Sequence, residues 1–154
     1  MPRDVEAVLY DGLGELPPFN PDDDEAERLH PAVARLRSAI REAAALVFST
    51  PEYAGALPGS FKNLLDWTVG DDRPGSIYEK PVAWINASPR GGAAAAHEEL
   101  RRVLGYVHAT VVESACTAAP VTGAMIDPRG LVADRAAREA IAGAATVLAD
   151  ALAC

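Results

Sequence analysis

The chain has 154 residues, of which 49% are hydrophobic, a formal net charge of -8 at pH 7 and two cysteines. This length and apolar fraction predict one folded domain over residues 1–154 and argue against disorder. The net negative charge disfavours nucleic acid and anionic membranes as partners. Two cysteines indicate neither a disulfide framework nor a metal site. The sequence shows no signal-peptide core and no apolar run long enough to span a membrane, which predicts a cytoplasmic location.

The first third of the chain predicts a strand, a helix and a second strand. Residues 5–10 are mostly apolar and end at glycines, which is typical of a strand. After a proline-rich loop, the acidic residues 22–25 suit the first turn of a helix. That helix is predicted over residues 26–44, with its arginines away from the apolar face. Residues 45–49 are short and strongly apolar, as in a buried parallel strand.

The rest of the chain continues the alternation. The predicted elements are a helix from near Gly59, a strand over 81–86, a helix over 93–107, a strand over 110–113, a loop over 115–130 and a helix over 133–152. Strands that alternate with helices predict an α/β fold with a parallel sheet covered on both faces.

The first candidate site is the loop of residues 50–58, which follows a predicted strand. Ligands of open α/β sheets bind at the carboxyl ends of strands. Pro51 and Pro58 restrict the backbone of this loop, whereas Gly55 allows conformations that other residues rarely adopt. Tyr53 could place an aromatic ring against a ligand. Small residues would let a flat heteroaromatic ring approach the backbone. The alternative interpretation is an ordinary rigid connection between a strand and a helix.

Two later loops follow the next predicted strands. Ser88-Pro89-Arg90-Gly91-Gly92 opens a helix, and free N–H groups at such a point favour electron-rich ligand atoms. The alternative is a tight turn. The third loop, with Pro120, Gly123 and Asp127, shows no pairing of a nucleophile with a base.

Residues for other chemistries are sparse. The three histidines, His30, His97 and His108, lack metal-ligand spacing and are interpreted as surface or hydrogen-bonded side chains. Trp67 and Trp84 are interpreted as core residues. Without an acid–base pair, we predict no catalytic side chain, and a cofactor would carry any reaction.

Several motifs together resemble the NADPH-dependent FMN reductase family. The resemblance rests on Pro51-Glu52-Tyr53, Pro58-Gly59, residues 62–67, Arg90-Gly91-Gly92 and residues 126–131. It implies a flavodoxin-like three-layer αβα sandwich, FMN as cofactor and NADPH or NADH as co-substrate. The implied electron acceptor is a quinone, azo dye, metal oxyanion or free flavin. The resemblance also implies a homodimer or homotetramer with the flavin near a subunit interface.

The same resemblance implies the cofactor contacts. The first loop would contact the flavin ring through Thr50, Pro51, Glu52, Tyr53, Ala54 and Gly55. The second would contact its pyrimidine edge through Ser88, Arg90, Gly91 and Gly92. The family usually carries Asn where this chain has Ala54, so one side-chain contact is expected to be absent.

A further departure concerns the beginning of the sequence. Residues 5–10 resemble the family's second strand, so the first strand, phosphate loop and helix are predicted to be missing. A coding start placed too far downstream is the favoured explanation, ahead of a unit supplied by another chain or a loss of FMN binding. Two other functions stay open: a truncated, non-catalytic flavodoxin-like interaction module that no longer binds FMN, and a flavodoxin-type electron carrier.

Overall fold

Short parallel strands form the sheet at the centre of the molecule. In the computed structural model, which describes residues 5–152 apart from the side chain of Arg90, β1 (Leu46–Phe48) pairs with β2 (Pro81–Asn86), and β2 pairs with β3 (Thr110–Val111). β4 (Thr117–Ala118) lies within the predicted loop 115–130 and pairs in parallel with the end of β2. The predicted parallel sheet is therefore confirmed, although the strand predicted over 110–113 is interrupted after Val111.

Three helices pack against one face of this sheet and one helix packs against the other. The helices are α1 (Pro31–Glu42), α2 (Gly59–Asp66), α3 (Ala94–Tyr106) and α4 (Arg135–Leu152). Successive side chains of a strand point to opposite faces: Val82 and Trp84 of β2 join the main core with α1, α2 and α3, whereas Ala83 packs with Leu148 of α4. In the described range, none of these helices is long and apolar enough to cross a membrane.

Residues 5–10 do not form the predicted strand. Val8 and Leu9 are 83% and 88% exposed, and a 3₁₀ turn (Gly12–Glu15) follows. A strand requires a neighbour for its N–H and C=O groups, and β1 pairs only with β2 among the described residues. The apolar pattern of residues 5–10 thus lacks the pairing that would make it a strand.

Helix α1 begins at Pro31 and not near Ala26. Proline suits the first helical position, and it disfavours helical geometry in the residue before it. The ring Nδ1 of His30 caps the helix by accepting a hydrogen bond from the N–H of Ala32 at 3.2 Å. The acidic residues 22–25 therefore precede the helix, and Pro21–Asp23 form a 3₁₀ turn.

Arg37 is buried, although the sequence predicts it away from the apolar face of this helix. Its side chain is 5% exposed and pairs with Asp24, whose side chain is 10% exposed. The guanidinium donates to the carbonyl oxygen of Trp67 from Nε at 2.9 Å and from Nη2 at 2.8 Å. Arg37 thereby joins α1 to the end of α2 and to the segment before α1.

The motif around α2 holds the segment that precedes α1. Trp67 is fully buried, as predicted, and its Nε1 donates to the carbonyl oxygen of Pro17 at 2.8 Å. Asn63 donates from Nδ2 to the same oxygen at 2.9 Å and accepts the N–H of Phe19 at 2.7 Å. Phe19 packs edge-on against Trp67 with ring centroids 4.9 Å apart. This part of the family motif therefore has a structural role.

Candidate functional site

The strand register brings the three predicted loops to one edge of the sheet. Phe48 of β1 aligns with Trp84 of β2, and Asn86 at the end of β2 aligns with Ala118 of β4. The chain after β4 continues this pairing, since Val121 donates its N–H to the carbonyl oxygen of Ala87 at 2.9 Å. The loops after β1, β2 and β4 consequently share the carboxyl edge, where α/β sheets bind ligands.

The tip of the first loop is a tight turn. Tyr53 and Ala56 exchange two backbone hydrogen bonds of 3.0 and 3.1 Å. The two residues between them, Ala54 and Gly55, have φ angles of +52° and +75°, as in a type I′ turn. Tyr53 is 64% exposed. Within residues 5–152 the N–H groups of Ala54 and Gly55 have no protein acceptor, so the tip presents open donors beside an aromatic ring.

Glu52 ties this loop to the N-terminus of α3. Its Oε2 accepts the N–H groups of Ala95 and Ala96 at 3.0 and 3.2 Å, and a carboxylate is stabilised at a helix N-terminus. A second tie comes from Glu99, whose Oε2 accepts the N–H of Leu57 at 2.7 Å. Glu52, which we predicted to be a ring contact, fixes the first loop against the helix that follows the second loop.

The second loop is shaped by Asn86, which sequence reasoning overlooked. Its Oδ1 accepts the N–H of Ser88 at 3.0 Å, and its Nδ2 donates to the carbonyl oxygen of Gly92 at 2.9 Å. Asn before a turn commonly bonds backbone two residues on, a signal that the sequence did contain. Gly91 has a φ of +72°, and both glycines are exposed. The side chain of Arg90 lies outside the described residues.

Thr50 and Pro51 begin the first loop. Thr50 is buried, and its hydroxyl donates to the carbonyl oxygen of Pro51 at 3.1 Å. A cleft of about 290 Å³ separates the loop tip from α3, lined by Gly55, Ala56, Ala95, Glu98, Glu99 and Arg102. The structure thus brings the first loop against the start of α3, and the second loop leads directly into that helix.

His97 of α3 is buried, and only one of its two ring nitrogens has a hydrogen-bond partner among the described residues. Its Nδ1 bonds the carbonyl oxygen of Ala93 at 2.7 Å, whereas its Nε2 has no partner among the described residues. The ring is tilted against Trp84, with centroids 6.3 Å apart. The prediction of a hydrogen-bonded histidine is therefore confirmed at Nδ1, while Nε2 has no partner in the described part of the chain.

Asp127 organises the third loop. Its Oδ1 accepts the N–H groups of Leu131 and Arg129 at 3.0 and 2.9 Å, and Nη2 of Arg129 donates to Oδ2 at 2.8 Å. The hydrogen bond from Leu131 contributes most, followed by that from the Arg129 side chain, to a pKa of Asp127 below its ordinary value. The carboxylate is thus stabilised in its charged form.

This lowered pKa predicts an acid-sensitive turn. A group with a depressed folded pKa stabilises the fold above its unfolded pKa, and that contribution is lost as the pH falls through the folded pKa. We expect the N–H of Leu131 to keep its protection in hydrogen exchange near the ordinary pKa of an aspartate and to lose it at more acidic pH, as the pH falls through the lowered pKa of Asp127. Asp127→Ala should show the same loss at neutral pH, and equal protection in both proteins at both pH values would contradict the prediction.

The left-handed conformation of Ala54 predicts a stabilising substitution. Ala pays a steric penalty at positive φ, whereas Asn adopts this region more readily. Ala54→Asn should therefore raise the free energy of unfolding by about 0.5–1 kcal/mol, measured by urea denaturation. Ala56→Asn, at a position in the same turn without positive φ, is the control. An equal effect of both substitutions would argue against the backbone explanation.

Comparison with known proteins identifies the family and the fold of this chain. The family model for NADPH-dependent FMN reductase matches residues 1–122. A quinone reductase of Escherichia coli is 29% identical over 153 residues, which cover 97% of this chain and 80% of that protein. An NAD(P)H-dependent FMN reductase of Pseudomonas aeruginosa is 35% identical over 144 residues, covering 92% and 75%. The solved structure of FerB, a flavoenzyme NAD(P)H:(acceptor) oxidoreductase from Paracoccus denitrificans, superposes with a TM-score of 0.70 at 29% identity, covering 91% of this chain and 74% of FerB.

Proposed function

The chain belongs to the NADPH-dependent FMN reductase family, and on that basis we propose that it transfers electrons from NAD(P)H through FMN to a quinone. The flavodoxin-like fold, FMN and the NAD(P)H co-substrate come with family membership. The observation that carries the proposal is the tie from Glu52 to Ala95 and Ala96. It fixes the loop after β1 to the helix that opens after the next loop, so both loops form one preorganised edge.

The groups present at this edge fit a flavin ring. The ring is flat and carries carbonyl oxygens, so it requires small neighbours and neutral N–H donors. Ala54 and Gly55 supply both at the tip of the first loop, and Gly91 and Gly92 leave the second loop open to close approach. Tyr53 adds an exposed aromatic face. In the proposal, Thr50, Pro51, Glu52, Ser88 and Arg90 complete the cofactor contacts.

Bound FMN would supply the redox chemistry by accepting hydride from NAD(P)H and passing electrons on. The chain's residues would bind and orient it, and we assign no general acid or base. A quinone is favoured because curated relatives, including the Escherichia coli protein, carry the name quinone reductase. Azo dyes, metal oxyanions and free flavin are the other acceptors to be compared. A cytoplasmic location and a homodimer or homotetramer belong to the same proposal.

The first experiment is an FMN titration followed by flavin fluorescence. We expect saturable quenching with one FMN per chain at micromolar concentration. With FMN bound, NADPH oxidation should accelerate on addition of benzoquinone, and comparison with NADH, an azo dye and chromate would rank donor and acceptor. Riboflavin, which has the same ring but no phosphate, is the matched control for contacts made by the ring alone.

Each outcome of this titration decides between stated functions. FMN binding with acceptor-dependent NAD(P)H oxidation supports the oxidoreductase. Binding without steady NAD(P)H oxidation supports an electron carrier. If neither FMN nor riboflavin binds, the result would contradict the proposal for this chain and favour a non-catalytic interaction module.

A further inference from the structure

A second cavity lies at the opposite, amino edge of the sheet. Its volume is about 540 Å³, which is ordinary for a small-molecule site. Its walls are residues 68–69 and 71–79, between α2 and β2, and residues 106–108 at the end of α3. The six-residue strand β2 separates this cavity from the carboxyl edge by about 20 Å at ~3.3 Å per residue.

Exposed rings and an aliphatic side chain line this cavity. Tyr78 and Tyr106 are 56% and 75% exposed, and Val69 is 52% exposed. The ring of His108 lies tilted against that of Tyr78, with centroids 5.6 Å apart. Large apolar side chains that are exposed together, and not singly, mark binding surfaces.

The wall of the cavity also holds backbone strain. Glu79 and His108 have φ angles of +57° and +56°, and the N–H of Glu79 donates to the carbonyl oxygen of His108 at 2.8 Å. Non-glycine residues in this conformation are costly and cluster at ligand sites. The other two in the described residues, Ala54 and Ala93, lie at the candidate cofactor edge. Strain of this kind is thus found at two places, one at each edge of the sheet.

The charges around the cavity select the sign of a ligand. Asp71 pairs with both Arg41 and Arg73, at 2.9 and 2.8 Å, so these three side chains carry a net charge of +1. Asp72 and Glu79 also line the cavity and have no ion-pair partner within residues 5–152. The named carboxylates exceed the named guanidiniums by one negative charge, which disfavours phosphates and carboxylates and favours a cation.

We propose that this cavity is a second small-molecule site, which binds an aromatic ring carrying a positively charged nitrogen. The faces of Tyr78 and Tyr106 would hold the cation by cation–π interaction, and Asp72 and Glu79 would supply the opposite charge. FMN and NAD(P)H carry phosphates, so this site is separate from the proposed cofactor site in both place and charge. The inference does not depend on the oxidoreductase activity.

The test is an NMR titration of the isotopically labelled chain with benzyltrimethylammonium, an aromatic cation without redox chemistry. We expect saturable shifts of backbone amides in residues 68–79 and 106–108. Phenylacetate, an aromatic anion, should bind at least tenfold more weakly. Tyr106→Ala and Asp72→Asn should each weaken binding of the cation about 3- to 10-fold. Both side chains are exposed, so both variants are expected to fold, which the same spectra verify.

Matched substitutions elsewhere separate this site from nonspecific binding. Tyr53→Ala removes an exposed tyrosine at the other edge, and Asp22→Asn removes an exposed carboxylate that does not line the cavity. Neither should change the affinity for the cation. The proposal is overturned if binding does not saturate, if phenylacetate binds equally well, if the shifts map to the carboxyl edge, or if the control variants weaken binding as much as Tyr106→Ala.

Discussion

Replacing Arg37 with methionine is expected to lower the free energy of unfolding by about 3–5 kcal/mol, since removal of one partner leaves a buried charge uncompensated. The guanidinium is the partner of the Asp24 carboxylate and of the Trp67 carbonyl oxygen. Methionine retains much of the apolar stem but supplies no donor. The measurement is urea denaturation followed by tryptophan fluorescence.

Arg35 on the same helix is the matched control. It pairs with Glu15, but both side chains are about three-fifths exposed, and exposed ion pairs contribute about 0–1 kcal/mol. Arg35→Met should therefore change stability by less than 1 kcal/mol. A similar loss in the two variants would show that burial of Arg37 is not the cause.

Gly70 provides an independent way to disturb the same ion pair. A Cβ atom at this position would lie 2.0 Å from Oδ2 of Asp24 and 3.3 Å from Nη2 of Arg37. Gly70→Ala should consequently displace the carboxylate and destabilise the protein without removing any charged group. In the Arg37→Met background the same substitution should cost less, because the ion pair is already absent. Fully additive losses would argue against this coupling.

Replacing Glu52 with alanine is expected to weaken FMN binding about 10- to 100-fold, which corresponds to about 1.4–2.7 kcal/mol. Without the carboxylate, the N–H groups of Ala95 and Ala96 lose their acceptor, and the first loop is no longer fixed to α3. The loop must then be ordered at the moment of binding, and that cost reduces affinity. Flavin fluorescence titration of both proteins measures the change.

Glu52→Gln separates the tie from other roles of Glu52. The glutamine amide retains a carbonyl oxygen acceptor but carries no charge. The FMN affinity of Glu52→Gln should therefore lie between that of the unsubstituted protein and that of Glu52→Ala. Hydrogen exchange at Ala95 and Ala96 supplies a readout that is independent of FMN, and exchange should accelerate in Glu52→Ala. Unchanged exchange and unchanged affinity in that variant would contradict the positioning role.

Local patterns in the sequence predicted most of the fold. The strand over residues 81–86 matches β2 at both ends, and the helices predicted near residues 59, 93 and 133 begin within two residues of α2, α3 and α4. These segments have strong apolar periodicity and clear turn residues at their ends, so short-range information specifies them. The predicted start of α1 was wrong because Pro31 disfavours helical geometry in the residue before it, and the acidic residues 22–25 lie ahead of the helix.

The family motif marked the candidate cofactor loops but did not distinguish the roles of their residues. Tyr53, Ala54 and Gly55 lie at the open tip of the first loop, whereas Glu52 bonds a helix more than 40 residues later in the chain. Asn63 and Trp67, within the same motif, hold residues 17–19. A motif records which residues occur together, but it does not record which of them contact one another.

The sequence by itself determined the alternation of strands and helices and the loops that reach the carboxyl edge. It also determined which family the chain resembles. All of these depend on residue types at short spacing. Only the tertiary structure decided that residues 5–10 have no strand partner within residues 5–152, that Arg37 is buried against Asp24, and that residues 68–69, 71–79 and 106–108 line a second cavity. These features depend on contacts between segments distant in the sequence, where the energy of pairing and burial overrides local propensity.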